Sequence, residues 1–452
     1  MQSIIMFEIY TTILSHVNKI PFSKLFSLNM TETNQRVNSD INSVVSYSIA
    51  SIQNTIINIM VFSVSFLMLI SVNIWFSLLL VLFSFFYYLS NKFLKKKVYS
   101  ASYIYKDQKN IYFGKTNEQY NSVKFVREQG LNDSFSTRLK EPFKSLLRST
   151  TDLQKVSYLF SGIDKFISMF LQILVIYFAG SIIMNGEMTI GQYTIVNSYL
   201  TIASSAVKYF YNLGKDTQDA LASLNRLHEI INIPSESNGH IKPHSIEIIK
   251  LCNLSFGYTN VSLFNDLNFT FTKGKIYSII GQNGVGKSTL LYILLGLYNN
   301  KLAGEIYING RSITDYDMQY MRAEVIGYSE QTPHIISGTI FDNINLTNNE
   351  KITNMYYGES HYMLKFENIM LDKHVNNADE LSGGEKLRIS LARALQKNPD
   401  ILLLDEPSSM LDSLNTDSLV SLLINLKKDK IIIIVTHDDR LISISDKLLT
   451  ID

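Results

Sequence analysis

The feature that most restricts the fold is a long stretch without charge. From Ile41 to Asn91 the chain holds no Asp, Glu, Lys or Arg, and within it runs "IINIMVFSVSFLMLISVNIWFSLLLVLFSFFYYL". A bilayer core of ~30 Å takes about 20 helical residues to cross. The stretch therefore accommodates two spans, expected over 49–71 and 74–91 and joined by a tight turn near Val72 and Asn73. Two further charge-free stretches, Phe166–Gly186 and Met188–Val207, meet at the turn sequence "NGEM" and predict spans over 164–185 and 189–212. Soluble helices seldom run so far without a charged face. The 46% apolar content, with 25 Phe and 26 Tyr, also exceeds what one soluble core requires. Residues 1–231 are thus expected to form an α-helical transmembrane domain with about four spans in the lipid bilayer.

Residues 92–164 hold 14 Lys and Arg against 7 Asp and Glu, beginning with "NKFLKKK". Basic loops of this kind stay in the cytoplasm, which puts both hairpin tips outside. Within 92–160 only Gly114, Gly130 and Pro142 interrupt the run, so residues 92–160 are expected to be two long cytoplasmic helices separated near Gly130. Polar residues within the spans, among them Asn58, Ser63, Ser84, Tyr177, Asn197 and Tyr199, read as helix-packing groups. Asp164 and Lys165, at a span edge, read as interfacial or solvated.

A linker, "NIPSESNGHIKPHS" over 232–245, gathers Pro, Ser, Asn and Gly. Beyond it, over 246–452, strand-like runs such as "KIYSIIG", "DILLLDEP" and "KIIIIVTHDD" alternate with helical stretches, the pattern of an α/β sheet. There "SIIGQNGVGKSTLL" fits the P-loop of a nucleotide-binding domain, with Gly281, Gly286, Lys287 and Ser288 at the defining positions. Its glycines let the backbone fold round phosphates, Lys287 neutralises the β/γ oxygens and the Ser288 hydroxyl reaches Mg2+. The acid pair of "ILLLDEPSSMLD" follows: Asp405, at the end of an apolar strand, for the metal and Glu406 for polarising the attacking water.

Composition removes several alternatives. With 41 basic and 40 acidic residues the net charge is +1, so no nucleic-acid partner is expected from bulk electrostatics. The single Cys252 excludes an internal disulfide and a cysteine-built metal site, and the eight His residues show no zinc-type spacing.

These motifs in this order resemble the ATP-binding cassette (ABC) family. "LSGGE", Leu381–Glu385, matches its signature, Tyr258 in "SFGY" the aromatic that stacks on adenine, and Gln331 in "GYSEQTP" the glutamine of the lobe-joining loop. Asp412 matches the loop aspartate after the acid pair, and His437 in "IVTHDD" the switch histidine. The resemblance covers about residues 246–452 and implies an α/β P-loop NTPase. It implies ATP binding by Tyr258, Gly281, Asn283, Gly284, Gly286, Lys287, Ser288 and Thr289, with Ser382, Gly383, Gly384 and Asp412 contributing from the facing cassette. Mg2+ would be attended by Ser288, Gln331 and Asp405, and catalysis carried by Glu406, His437 and Gln331. In this family each nucleotide lies between two cassettes, so a chain with one P-loop and one signature must pair, as a homodimer or with another half-transporter.

The front half is similar to the exporter branch. "NEQYNSVKFVREQG" resembles a cytoplasmic coupling segment, with Glu118 at its acidic position, and "LASLNRLHEIINIP" the helix leading to the cassette, with Arg226 at its basic position. Residues 1–48 resemble the end of the second family span, the first coupling segment and the start of the third span, so the first two spans are expected to be absent. The resemblance implies ATP-driven export of a peptide, lipid or drug-like substrate across the cytoplasmic membrane. The missing spans motivate an alternative, a regulatory or immunity-type membrane protein that binds ATP without productive export.

Overall fold

The structure is a computed structural model describing residues 2–25, 30–258, 262–298, 302–346 and 372–451. The chain divides into two compact units, one of Met1–Ile20 and Lys24–Ser235 and one of Pro21–Ser23 and Glu236–Asp452.

The first unit is helical. After α1 (Gln2–Val17) and α2 (Phe22–Leu25) come four long helices, α3 (Met30–Val72), α4 (Ile74–Asn121), α7 (Lys140–Met184) and α8 (Ile190–Ile231). Asn73 separates α3 from α4 and caps the latter, its side chain accepting from the Trp75 N–H at 3.0 Å. Such a cap satisfies one of the amides that a helix start leaves without a partner. The α7–α8 turn uses Gly186 in the left-handed region (φ 75°) and a capping box between Thr189 and Gln192. Between α4 and α7 the break at Gly130 (φ 64°) is flanked by two short helices, α5 (Val123–Glu128) and α6 (Asn132–Arg138), in addition to the two long ones expected.

Phe76, Leu80 and Phe83 of α4 pack with Leu69 of α3, Val175 and Ala179 of α7, and Val196, Leu200 and Ala203 of α8. Their outer faces are equally apolar: Met60, Leu67, Trp75, Phe85, Phe166 and Tyr177 are exposed. Helices apolar on both faces suit a lipid surround. Thr33–Val72 and Asn132–Met184 are long and apolar enough to cross a membrane, and Ile74–Ser90 is apolar but shorter. The expected span on α8 is not among them, because Asn197, Ser198, Thr201, Ser204 and Ser205 interrupt its apolar run.

Of the four ion pairs that tie the long helices among the described residues, two are the most buried. Asp40 of α3, only 2% exposed, accepts from Arg226 of α8 through both oxygens, one of them from Nε at 2.9 Å. The hydrogen bonds that Arg226 donates to Asp40 hold the guanidinium above its ordinary pKa. Asp164 of α7, expected to be interfacial or solvated, is partly buried against Lys208 of α8 at 3.0 Å. The expectation rested on its place at a span edge, and a partner 44 residues further along the chain is invisible to that reading.

In the second unit a five-stranded sheet runs β11–β3–β10–β9–β6, all its pairs parallel. Its strands are β3 (Lys275–Ile280), β6 (Ile326–Ser329), β9 (Ile401–Asp405), β10 (Ile431–Val435) and β11 (Lys447–Thr450). An antiparallel sheet, β2–β1–β4–β5, joins β1 (Ile248–Gly257), β2 (Ser262–Thr272), β4 (Ala303–Ile308) and β5 (Arg311–Ser312). A small pair, β7 (Gly338–Thr339) and β8 (His374–Val375), completes the described strands. Every residue of β9 and β10 is buried. Ile431, Ile433 and Leu403 enter one core, and Ile432, Ile434, Leu402 and Leu404 the other. Alternation between two cores explains why these strands are continuously aliphatic.

Candidate nucleotide site

The site grows from the carboxyl ends of three adjacent strands. In register, Ile279 of β3 lies beside Val435 of β10, which lies beside Asp405 of β9. The loops that follow therefore emerge side by side: the P-loop after β3, Glu406 after β9 and His437 after β10. Ligand crevices in parallel sheets form at such strand ends.

The P-loop leads from Gly281 into α9 (Lys287–Leu294). A Cβ at Gly281 would stand 2.2 Å from the Ile451 carbonyl oxygen, so only glycine lets the loop pass there. Gly286, the N-cap of α9, has φ 107°, also a glycine conformation. Gln282, Asn283 and Gly284 form the exposed crest. Lys287 is buried, and its Nζ donates to the carbonyl oxygens of Gly281 at 2.7 Å and Gln282 at 2.9 Å. The same Nζ lies 3.0 Å from His437 Nε2. An ammonium folded into a loop of backbone amides at a helix start fits a polyphosphate.

Asp405 is 3% exposed, and burial pushes its carboxyl above the ordinary aspartate value. A hydrogen bond from Ser288 opposes the rise, Glu406 adds to it and Lys287 reduces it. Glu406 sits in the left-handed region at φ 47°, its N–H bonded to the Val435 carbonyl at 2.8 Å. Its carboxylate accepts from Gln331 Nε2 at 2.9 Å. Ser288, Asp405 and Gln331 are a hard-oxygen donor set suited to Mg2+, which is held by few protein ligands together with substrate phosphates.

The remaining residues form two further groups. The Tyr258 hydroxyl and Thr289 Oγ1 are 3.0 Å apart, and the Tyr258 ring meets Phe256 and Tyr298 edge-on. Ser382 is the N-cap of the helix Gly383–Gln396, in a capping box with Glu385. Glu385 accepts from the Ser382 amide at 2.7 Å and hydroxyl at 2.8 Å, which holds its carboxyl below the usual glutamate value. Gly383 and Gly384 lie against Met410, in the turn between the acid pair and Asp412, itself the N-cap of the helix Ser413–Leu426. None of the hydrogen bonds made by Ser382 among the described residues reaches the P-loop. Glu385 was named in the sequence only as the end of the signature, and Met410 and Tyr298 were not singled out. The S-x-x-E spacing was the readable signal for Glu385; the other two had none.

Residues 2–207 match the family described as "ABC transporter transmembrane region", and residues 264–409 match "ABC transporter". The chain is similar to the ATP-dependent permease MDL1 of Candida albicans, 28% identical over 74% of this chain and 51% of that protein. It is also similar to ABC transporter B family member 4 of Dictyostelium discoideum, 29% identical over 71% of this chain and 42% of that protein. The chain thus spans about half the length of these relatives. A bacterial Atm1-family ABC exporter solved with ATP bound shares the fold, with a TM-score of 0.86, 19% identity, and coverage of 100% of this chain and 81% of that one. With residues 2–207 matching the transmembrane region and residues 264–409 the ATPase of the ABC transporters, the chain belongs to that family, with the transmembrane region fused ahead of the cassette.

Proposed function

We propose that the chain hydrolyses ATP with Mg2+ at a site completed by a second cassette, and that cassette closure drives a substrate across the cell membrane. The cassette would lie on the cytoplasmic side of about four spans. The carrying observation is the convergence of Lys287, His437, Gln331 and Glu406 on loops from neighbouring strands, through contacts of 3.0 Å and 2.9 Å.

Lys287 and the amides of 281–289 bind the phosphates, and Tyr258 supports the adenine. Ser288, Asp405 and Gln331 would hold Mg2+, which would supply positive charge against the phosphate oxygens. The Glu406 carboxylate, oriented by Gln331, accepts a proton from the water that attacks the γ-phosphorus, and ADP departs. His437 contacts the γ-phosphate from the loop after β10, the strand between β3 and β9. In the paired cassette Ser382, Gly383 and Gly384 offer the hydroxyl and helix amides, with Asp412 behind them. The partner is a second copy or another half-transporter.

Glu406→Gln keeps the size of the side chain and removes the base. ATP binding is expected to persist while turnover falls by about 100-fold or more, the range of a lost general base. Steady-state phosphate release beside nucleotide binding decides it; unchanged turnover removes Glu406 from its role.

A further inference from the structure

A partly open cavity of ≈ 130 Å³ lies among α4, α7 and α8, with apolar walls from Phe83, Leu171, Val175 and Leu200 and polar groups set among them. Asn197, Thr201, Ser204 and Lys208 line it from α8, at spacings that fall on one helix face, and Ser168 and Gln172 line it from α7, one turn apart. Ser204 at its floor is buried, while Gln172 and Thr201 at its mouth are exposed. The Ser204 Oγ, nine-tenths buried, has no hydrogen-bond partner among the described residues. Buried hydroxyls in folded proteins nearly always have one, so an unsatisfied hydroxyl facing a cavity marks a place for a polar group.

The charge of that group follows from Lys208. Its Nζ donates to Ser168 Oγ at 2.8 Å and pairs with Asp164 at 3.0 Å, and Tyr87 of α4 also faces Asp164. The cation and the anion at this end cancel. An entering anion would draw Lys208 away and strand Asp164, and an entering cation would strand Lys208; either leaves a partly buried charge unpaired.

We propose that this cavity binds an uncharged hydrogen-bonding group of the transported substrate, such as an amide, against Ser204, Asn197, Thr201 and Gln172. The proposal deepens the transport reading and rests on it for the word substrate.

Cys252 is the one cysteine of the chain. A full-length chain carrying Cys252→Ser and Ser205→Cys, in lipid nanodiscs, reports the cavity through its rate of labelling by an uncharged maleimide, because Ser205 lies at the exposed mouth. N-acetylglycinamide, which is neutral, is expected to slow labelling. N-acetylglycine, an anion, and glycinamide, a cation, are expected to leave it unchanged. Adding Ser204→Val should weaken the protection about fivefold, the worth of one hydrogen bond. Ser145→Cys, exposed on α7 away from the cavity, serves as the control and should label at one rate throughout. Equal protection by a charged compound, absent protection by the neutral one, or protection indifferent to Ser204→Val overturns the proposal. ATP hydrolysis by the same protein is measured alongside. Normal hydrolysis without protection removes the site and leaves the transport reading, whereas protection without hydrolysis supports the site and removes ATP-driven transport.

Discussion

Asp405 and Glu406 are neighbours held in opposite ways. Asp405 is buried with its carboxyl pushed up, so between the unfolded and folded pKa values the folded state binds more protons and stability falls as pH rises. Without nucleotide and metal, the Asp405→Asn chain is therefore expected to melt above the wild type at neutral pH. The gain should shrink on acidification and vanish below the ordinary aspartate pKa of about 4, as thermal melts at a series of pH values would read. Glu406 occupies a left-handed backbone at φ 47°, which costs a residue with a Cβ about 1 kcal/mol or more. Glu406→Gly is then expected to abolish hydrolysis while holding or raising Tm; a clear fall in Tm would show that the Gln331 contact outweighs the strain. Lys287, Asp405 and Glu406 were legible because each lies within a short run whose strand and turn are written around it. The Lys287–His437 contact was not, since it spans 150 positions and depends on two strands being neighbours in the sheet.

At the scale of elements, apolar runs and turn residues announced α3, α4 and α7, and Asn73 and Gly186 stand at their turns. The sequence was less informative where polarity serves a tertiary purpose. Of the two polar residues of α8 named in the sequence, read as packing groups with a polar path as the alternative, Asn197 lines a cavity with α7 and Tyr199 does not. Arg226 was noted for its position, but its partner Asp40, 186 residues away, carries no local mark. That pair yields a prediction about the bundle. Removing the guanidinium by Arg226→Ala strands the buried Asp40, at a cost of about 3–5 kcal/mol. The result should be earlier proteolysis near the α3 and α8 ends facing the pair. Arg226→Lys should recover only part of the loss, because an ammonium cannot reproduce the two-pronged contact.

For the whole molecule, the two-cassette reading can be tested by mixing inactive chains. Lys287→Ala disables a P-loop and Ser382→Ala weakens a signature. A mixed pair would contain one site built from the intact P-loop of one chain and the intact signature of the other. Random pairing of equal amounts is expected to restore about a quarter of the wild-type rate, in excess of the rates of the two variants alone. No recovery, despite an active wild-type chain, would exclude a homodimer with sites shared in this way. The order of the parallel sheet also has a consequence for how the cassette is made. β3, which carries the P-loop, lies between β10 and β11, so the ribosome delivers Lys275–Ile280 long before Ile431–Val435. At roughly 5–20 residues per second the interval lasts on the order of ten seconds. Throughout it a buried-type strand waits without either of its neighbours, and the cell must shelter it before the chain can hold its first nucleotide.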